Sequence, residues 1–145
     1  GGVEIPGTVG LAGHSDADVL AHAIGDAVLG AAGLGDLGTH FPPEDERWRN
    51  VSSLELLRHI RRLVQEAGWR IAYVDATLVA EYPRIAPFRE RMRERIAEAL
   101  AITTTQVHLK ATTNERLGFI GRGEGIAALA VATLESEHGA QRDAD

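Results

Sequence analysis

Cysteine is absent from the 145 residues, which excludes disulfides and thiolate metal sites and leaves histidine and carboxylate to hold any transition metal. Basic charge is in short supply: 15 Lys and Arg stand against 21 Asp and Glu, a formal net charge of −6. That balance argues against a nucleic-acid partner, which calls for a basic patch. Small phosphate ligands stay open, because a few local donors suffice for them. No apolar run approaches the roughly 20 residues of a membrane span, so no membrane partner is expected. Internal repeats and low-complexity linkers are missing, and the length suits one domain over residues 1–135 with a polar tail at 136–145. The chain opens Gly1-Gly2 without methionine, so the natural protein is expected to begin further upstream.

What is present falls into a regular order. Val3 to Pro6 reads as the tail of a strand, ended by proline and a loop from Gly7 to Gly13. Ser15 with Asp18 resembles a capping box, so a helix is predicted from about Asp16 to Gly33. Gly35 to Asn50 has turn chemistry and reads as an irregular loop. Ser52 and Glu55 cap a second helix, in which Leu54, Leu57, Ile60 and Val64 recur at helical spacing up to Gly68. A strand over Ile71–Val79 follows, with Val74, Ala76, Leu78 and Ala80 alternating against Tyr73, Asp75 and Thr77. Pro83 and Pro87 precede a third helix, Phe88–Leu100, whose apolar stripe is Met92, Ile96 and Leu100. Val107–Ala111 and Ile126–Leu134 are the last strands. The order β-α-α-β-α-β-β predicts an α+β sandwich, with helices on one face of a mixed or antiparallel sheet.

Chemistry concentrates in two stretches. In Gly13-His14-Ser15-Asp16-Ala17-Asp18 with His22, Asp18 and His22 share a helix face, where an imidazole can bind metal and a carboxylate one turn away can orient it. The same pair is also an ordinary surface Asp–His contact, and a catalytic zinc needs three protein ligands. From Lys110 to Gly125 the chain joins Thr112, Thr113, Asn114, Glu115, Phe119 and Arg122 with Gly118, Gly121, Gly123 and Gly125. Amides, hydroxyls and Arg122 there can satisfy phosphate oxygens, and Glu115 is a hard ligand suited to magnesium. A tight glycine hairpin with Arg122 paired to Glu124 fits the same residues. The turn Ala80-Glu81-Tyr82-Pro83-Arg84-Ile85-Ala86-Pro87 can expose backbone to a nucleobase edge, or simply join strand to helix. Asp36-Leu37-Gly38 and Phe41-Pro42-Pro43-Glu44-Asp45 fit a substrate flap or a plain surface loop.

Taken in order along almost the whole chain, these segments resemble the 2-C-methyl-D-erythritol 2,4-cyclodiphosphate synthases of the non-mevalonate isoprenoid pathway. The resemblance implies a homotrimer with active sites between subunits, in the bacterial cytoplasm, or in a plastid if a transit peptide precedes Gly1. It implies a cytidine diphosphate substrate, 4-diphosphocytidyl-2-C-methyl-D-erythritol 2-phosphate, cyclised with loss of CMP. It further implies Zn2+ or another divalent transition metal on His22 and Mg2+ or Mn2+ on Glu115. His14 and Thr113 would stabilise the transition state, and Ser15 would contact a substrate phosphate. Asp36, Leu37, Gly38 and the segment Phe41, Pro42, Pro43, Glu44, Asp45 would hold the ribose and methylerythritol. Ala80, Glu81, Tyr82, Pro83, Arg84, Ile85, Ala86 and Thr112 would form the cytidine pocket, with Asn114 beside it and Phe119 and Arg122 near phosphates.

The chain departs from the family in two places. The Asp-x-His motif that completes the zinc site would fall before Gly1, and it is expected in an upstream segment. Arg84 stands where the family usually carries lysine, which keeps the charge but alters the fit to a phosphate. Two other functions compete with the cyclase: a non-catalytic trimeric binder of cytidine or isoprenoid diphosphates, and a zinc hydrolase of another kind. Stoichiometric zinc and CMP release separate the first from the cyclase, and general phosphodiesterase turnover identifies the second.

Overall fold

A computed structural model describes residues 12–49, 51–81 and 85–137, with side chains from Asp18 onward. The expected strand tail at Val3–Pro6, most of the loop after it and residues 138–145 lie outside the described residues. The chain runs as helix α1 (Ala12–Ala31), a single turn α2 (Leu37–His40), α3 (Ser53–Glu66), strand β1 (Trp69–Val79), α4 (Arg89–Leu100), β2 (Val107–Thr112), a single turn α5 (Gly118–Gly121) and β3 (Ala127–Ser136). Short 3-10 turns at Glu46–Trp48, Ala86–Phe88 and Thr104–Gln106 link them.

The sheet is mixed, in the order β2-β1-β3. β1 and β2 pair in parallel, from Val74 with Val107 to Val79 with Thr112. A parallel pair needs a crossover, and α4 supplies it. β3 returns antiparallel to β1, with Thr77 opposite Leu129. A bulge between Ile71 and Tyr73 leaves Ala72 unmatched, and its carbonyl accepts from Gln106 Nε2 at 2.9 Å. Past the bulge the alternation of β1 carries Val74, Ala76, Leu78 and Ala80 inward.

Helices α1, α3 and α4 cover one face of this sheet, and the core lies between them. Leu20, Ile24 and Val28 from α1 meet Leu57, Ile60 and Val64 from α3, and Met92, Ile96 and Leu100 from α4 close the end. α4 is apolar over a wider arc than its three large residues imply, since Ala97 and Ala99 are buried as well. Ser52 caps α3 as its sequence predicts, the Oγ accepting from the Glu55 amide at 3.1 Å. None of the helices in the described residues is long and apolar enough to cross a membrane.

Three expectations change. α1 begins at Ala12, a full turn before the Ser15–Asp18 pattern predicts, so Ser15 lies inside the helix and is not its cap. Asp18 instead takes the hydroxyl of Ser53, which is buried at the start of α3, and this bond across 35 residues ties the two helices. The irregular loop at 35–50 is partly ordered, because Asp36 and Asp45 each cap a short turn with their own carboxylates. β3 continues through Ser136, opposite Trp69, into the stretch that reads as tail.

Candidate active site

β1 and β2 end side by side, and their carboxyl ends are where an open parallel arrangement leaves room for ligands. Pairing continues past Val79, with the Ala80 amide donating to Thr112 O at 3.0 Å. The loops leaving the two strands therefore start together. Glu81 sits beside Thr113, and its Oε1 accepts from the Asn114 amide at 3.2 Å and the Arg116 amide at 2.8 Å.

Between Asn114 and Leu117 the second loop makes a tight turn, with the Leu117 amide donating to Asn114 O at 3.0 Å. Its two central residues, Glu115 and Arg116, have φ of 53° and 61°. Positive φ at both central positions is the pattern of a type I′ turn, normally filled by Gly, Asn or Asp. Neither Glu nor Arg has that freedom, and each such residue costs about 1–2 kcal/mol. Local bonds oppose the strain. Asn114 Nδ2 donates to Leu117 O at 2.7 Å, and the Glu115 amide reaches Thr113 Oγ1 at 3.3 Å. Gly121 lies against the backbone of Arg116 and admits the turn because it has no side chain.

Two cavities open here. A cleft of about 660 Å3 is lined by Glu81, Thr113, Glu115, Arg116, Gly121, Arg122 and Gly123. A neighbouring cavity of about 190 Å3 is lined by Leu78, Ala80, Ile85, Ala86, Ala111 and Thr112, with Glu81, Thr113 and Arg89 at its edge. The first is rich in charge and suits phosphate with a hard cation. The second is mostly apolar and suits a flat ring. Phe119 is half-exposed near the cleft and packs on Gly125, and Arg122 pairs with Glu124 at 3.0 Å across exposed surface.

The other sequence-predicted residues stand elsewhere. Asp36, Leu37, Gly38 and the segment Phe41–Asp45 are held to α1 and α3, and none of them lines either cavity. Asp36 Oδ1 accepts from the Thr39 amide at 3.0 Å and the Thr39 hydroxyl at 2.8 Å. These bonds hold its carboxyl below the usual aspartate range. Asp45 is lowered by Arg47, whose guanidinium reaches Oδ2 at 2.6 Å, and the same pair raises Arg47. Both carboxyls are therefore depressed on folding. Their contribution is complete above the ordinary aspartate range and fades as pH falls through the lowered folded values. Phe41, Trp48 and His59 stack edge-on and pin this segment to α3.

His22 is exposed on α1 and lines neither cavity. Among the described residues no three His, Asp or Glu cluster to hold a metal. His14 and Ser15 lie in the first turns of α1, and their side chains are outside the described set, as are Tyr82, Pro83 and Arg84 altogether. Two lining residues go unnoticed in the sequence. Arg116 carries no signal at all. Arg89 does carry one: a cation on the first residue of a helix opposes the macrodipole, and its Nε is buried without a partner among the described residues.

Comparison with known proteins adds to this geometry. Residues 1–135 match the YgbB family. The 2-C-methyl-D-erythritol 2,4-cyclodiphosphate synthase of Moorella thermoacetica is 60% identical over 134 residues, 92% of this chain and 82% of that protein. The bifunctional enzyme IspD/IspF of Anaeromyxobacter sp. (strain Fw109-5) is 64% identical over 92% of this chain, which spans only 34% of its length. Among solved structures, the bifunctional IspDF of Campylobacter jejuni superposes with a TM-score of 0.85 at 44% identity, over 93% of this chain and 37% of that one. A CDP complex of IspF from Plasmodium falciparum gives 0.73 at 33% identity, over 82% and 71%.

Proposed function

Since the chain belongs to the YgbB family, that of the 2-C-methyl-D-erythritol 2,4-cyclodiphosphate synthases, we propose that it closes the cyclic diphosphate of 4-diphosphocytidyl-2-C-methyl-D-erythritol 2-phosphate and releases CMP. The observation that carries this reading is the pairing of a charged, glycine-walled cleft with a smaller apolar cavity, joined through Glu81 and Thr113. Cytosine fits the apolar compartment, and its diphosphate then extends into the cleft.

In the reaction an oxygen of the 2-phosphate attacks the β-phosphorus and forms the new P–O bond. The bond from that phosphorus to the oxygen bridging it to the α-phosphate breaks, and CMP leaves with the electron pair. The difficulty is bringing anions together, so neutralisation and in-line placement dominate. Thr113 orients the diphosphate, while Arg116 and Arg122 add positive charge along the cleft. Glu115 suits a Mg2+ or Mn2+ ion, which commonly takes one or two carboxylates and completes its shell with phosphate and water. Such an ion, when bound, supplies charge neutralisation between phosphates. His22 is proposed as one ligand of Zn2+ or a similar ion, with its companions outside the described residues, and no step here depends on it.

A homotrimer with shared sites is part of the proposal, for two reasons. The flap residues Asp36–Asp45 stand apart from the cleft within one protomer. The sheet face opposite the helices exposes Tyr73, Leu129 and Val131, the last at 69%, beside the Asp75–Lys110 pair, and large apolar side chains left in water on one sheet face suit a contact surface. Sedimentation is expected to find trimers, and Val131→Asp is expected to give monomers that release no CMP. A wild-type protein that sediments as a monomer would remove the shared site.

The direct test supplies substrate, Zn2+ and Mg2+ and follows CMP. Metal-dependent CMP release is expected, with His22→Ala losing bound zinc on metal analysis. CDP binding without CMP release, on protein holding no zinc, would instead support the non-catalytic binder.

A further inference from the structure

Glu81 belongs to the loop after β1, yet its carboxylate is committed to the loop after β2. One oxygen, Oε1, accepts both the Asn114 and the Arg116 amides, at 3.2 and 2.8 Å across 33 and 35 residues of sequence. Those amides flank Glu115, and the turn they belong to is the strained one, with two non-glycine residues at positive φ. Glu81 also lines both cavities.

We propose that Glu81 is a positioning residue: by capturing the two amides it holds Glu115 in the left-handed turn that presents its carboxylate to a divalent cation in the cleft. The inference rests on the functional reading above and assigns Glu81 a task other than touching the nucleotide. The physical case is local. A turn with two non-glycine residues in the left-handed region is strained and needs partners that favour the turned conformation. In that conformation the amides of Asn114 and Arg116 converge on one oxygen. A carboxylate there forms charge-assisted bonds, which are roughly twice as strong as neutral ones.

The experiment measures CDP affinity by calorimetry with and without Mn2+, and exchange of the Asn114 and Arg116 amides by NMR. Wild-type protein is expected to bind CDP more tightly with Mn2+. In Glu81→Ala the two amides lose protection, and the Mn2+-dependent gain in CDP affinity falls about 10–100-fold, the usual effect of removing a partner that orients a ligand group. Any loss of metal-free CDP affinity is expected to be smaller than the loss of the Mn2+-dependent gain. Glu81→Gln keeps an acceptor oxygen for both amides and is expected to recover most of the gain, with a residual loss below about tenfold. A Glu81→Ala protein with unchanged protection, or with lost protection but an intact Mn2+ gain, overturns the proposal. Loss of metal-free CDP affinity with the Mn2+ gain retained also overturns it and makes Glu81 a nucleotide contact. If the wild-type protein itself shows no Mn2+ gain, the functional reading fails first, and the cation role of Glu81 falls with it.

Discussion

Gly121→Ala is expected to abolish CMP release to within about one hundredth of the wild-type rate, the scale of loss when reacting groups are misplaced by about 1 Å. A Cβ built on Gly121 lies 2.1 Å from the Arg116 carbonyl carbon, 2.6 Å from its Cα and 2.7 Å from its oxygen. All three are backbone atoms, so no side-chain rotation relieves the overlap. Either the turn at Glu115 and Arg116 unwinds or α5 moves away, and both displace the cleft wall. Stability should drop by about 1–3 kcal/mol, the range for overpacking. Gly123→Ala isolates the backbone component: its φ is 73° but nothing lies within 4 Å of the added carbon, so strain of about 1–2 kcal/mol remains without a clash. Gly30→Ala, on an exposed helical position with open space, should stabilise the fold by about 0.5–1 kcal/mol. Steady-state CMP release and thermal unfolding of the three variants check this ranking. A Gly121→Ala enzyme of wild-type kcat would mean that the turn is not part of the site.

Glu115→Gln is expected to lower kcat about 10²–10³-fold, comparable to losing one preorganised charge-stabilising group at a reacting centre. The amide keeps the shape of the side chain and removes only its charge. Because the chain bends identically, folding and metal-free CDP binding should persist, while the benefit of Mg2+ disappears at any concentration. A kcat within a few-fold of wild type would move the cation to other ligands. The contrast with Glu81→Gln is the informative one. At position 81 the oxygen acceptor matters most, whereas at 115 the charge does, so the same isosteric change is mild at one site and severe at the other.

The helices and strands were legible because their signals are local. Ser52 and Glu55 sit three residues apart, and the Leu57, Ile60 and Val64 spacing is the helical period, so α3 could be placed from the sequence. β1 shows its buried side through alternation from Val74 onward, past the bulge at Ala72 that puts Ile71 out of phase with it. The start of α1 was misplaced because Ser15 and Asp18 imitate a cap, whereas Asp18 is taken by Ser53 from another helix. The flap at 35–50 gave no helical period. Its order comes from Asp36 and Asp45 folding their carboxylates onto neighbouring amides, and from Phe41 and Trp48 leaning on His59.

The sequence alone was enough to establish the family and the α+β class and to nominate candidate site residues, since these depend on residue type and short spacing. Tertiary structure decided which of them meet. The parallel register of β1 on β2 brings Glu81 to Asn114 and Arg116, the close approach of Arg116 makes Gly121 indispensable, and the packing of the flap on α3 keeps Asp36 and Asp45 away from the cleft. Each is a contact between segments tens of residues apart, set by which backbone groups can lie within hydrogen-bond or van der Waals distance. No pattern in the linear chain encodes that proximity.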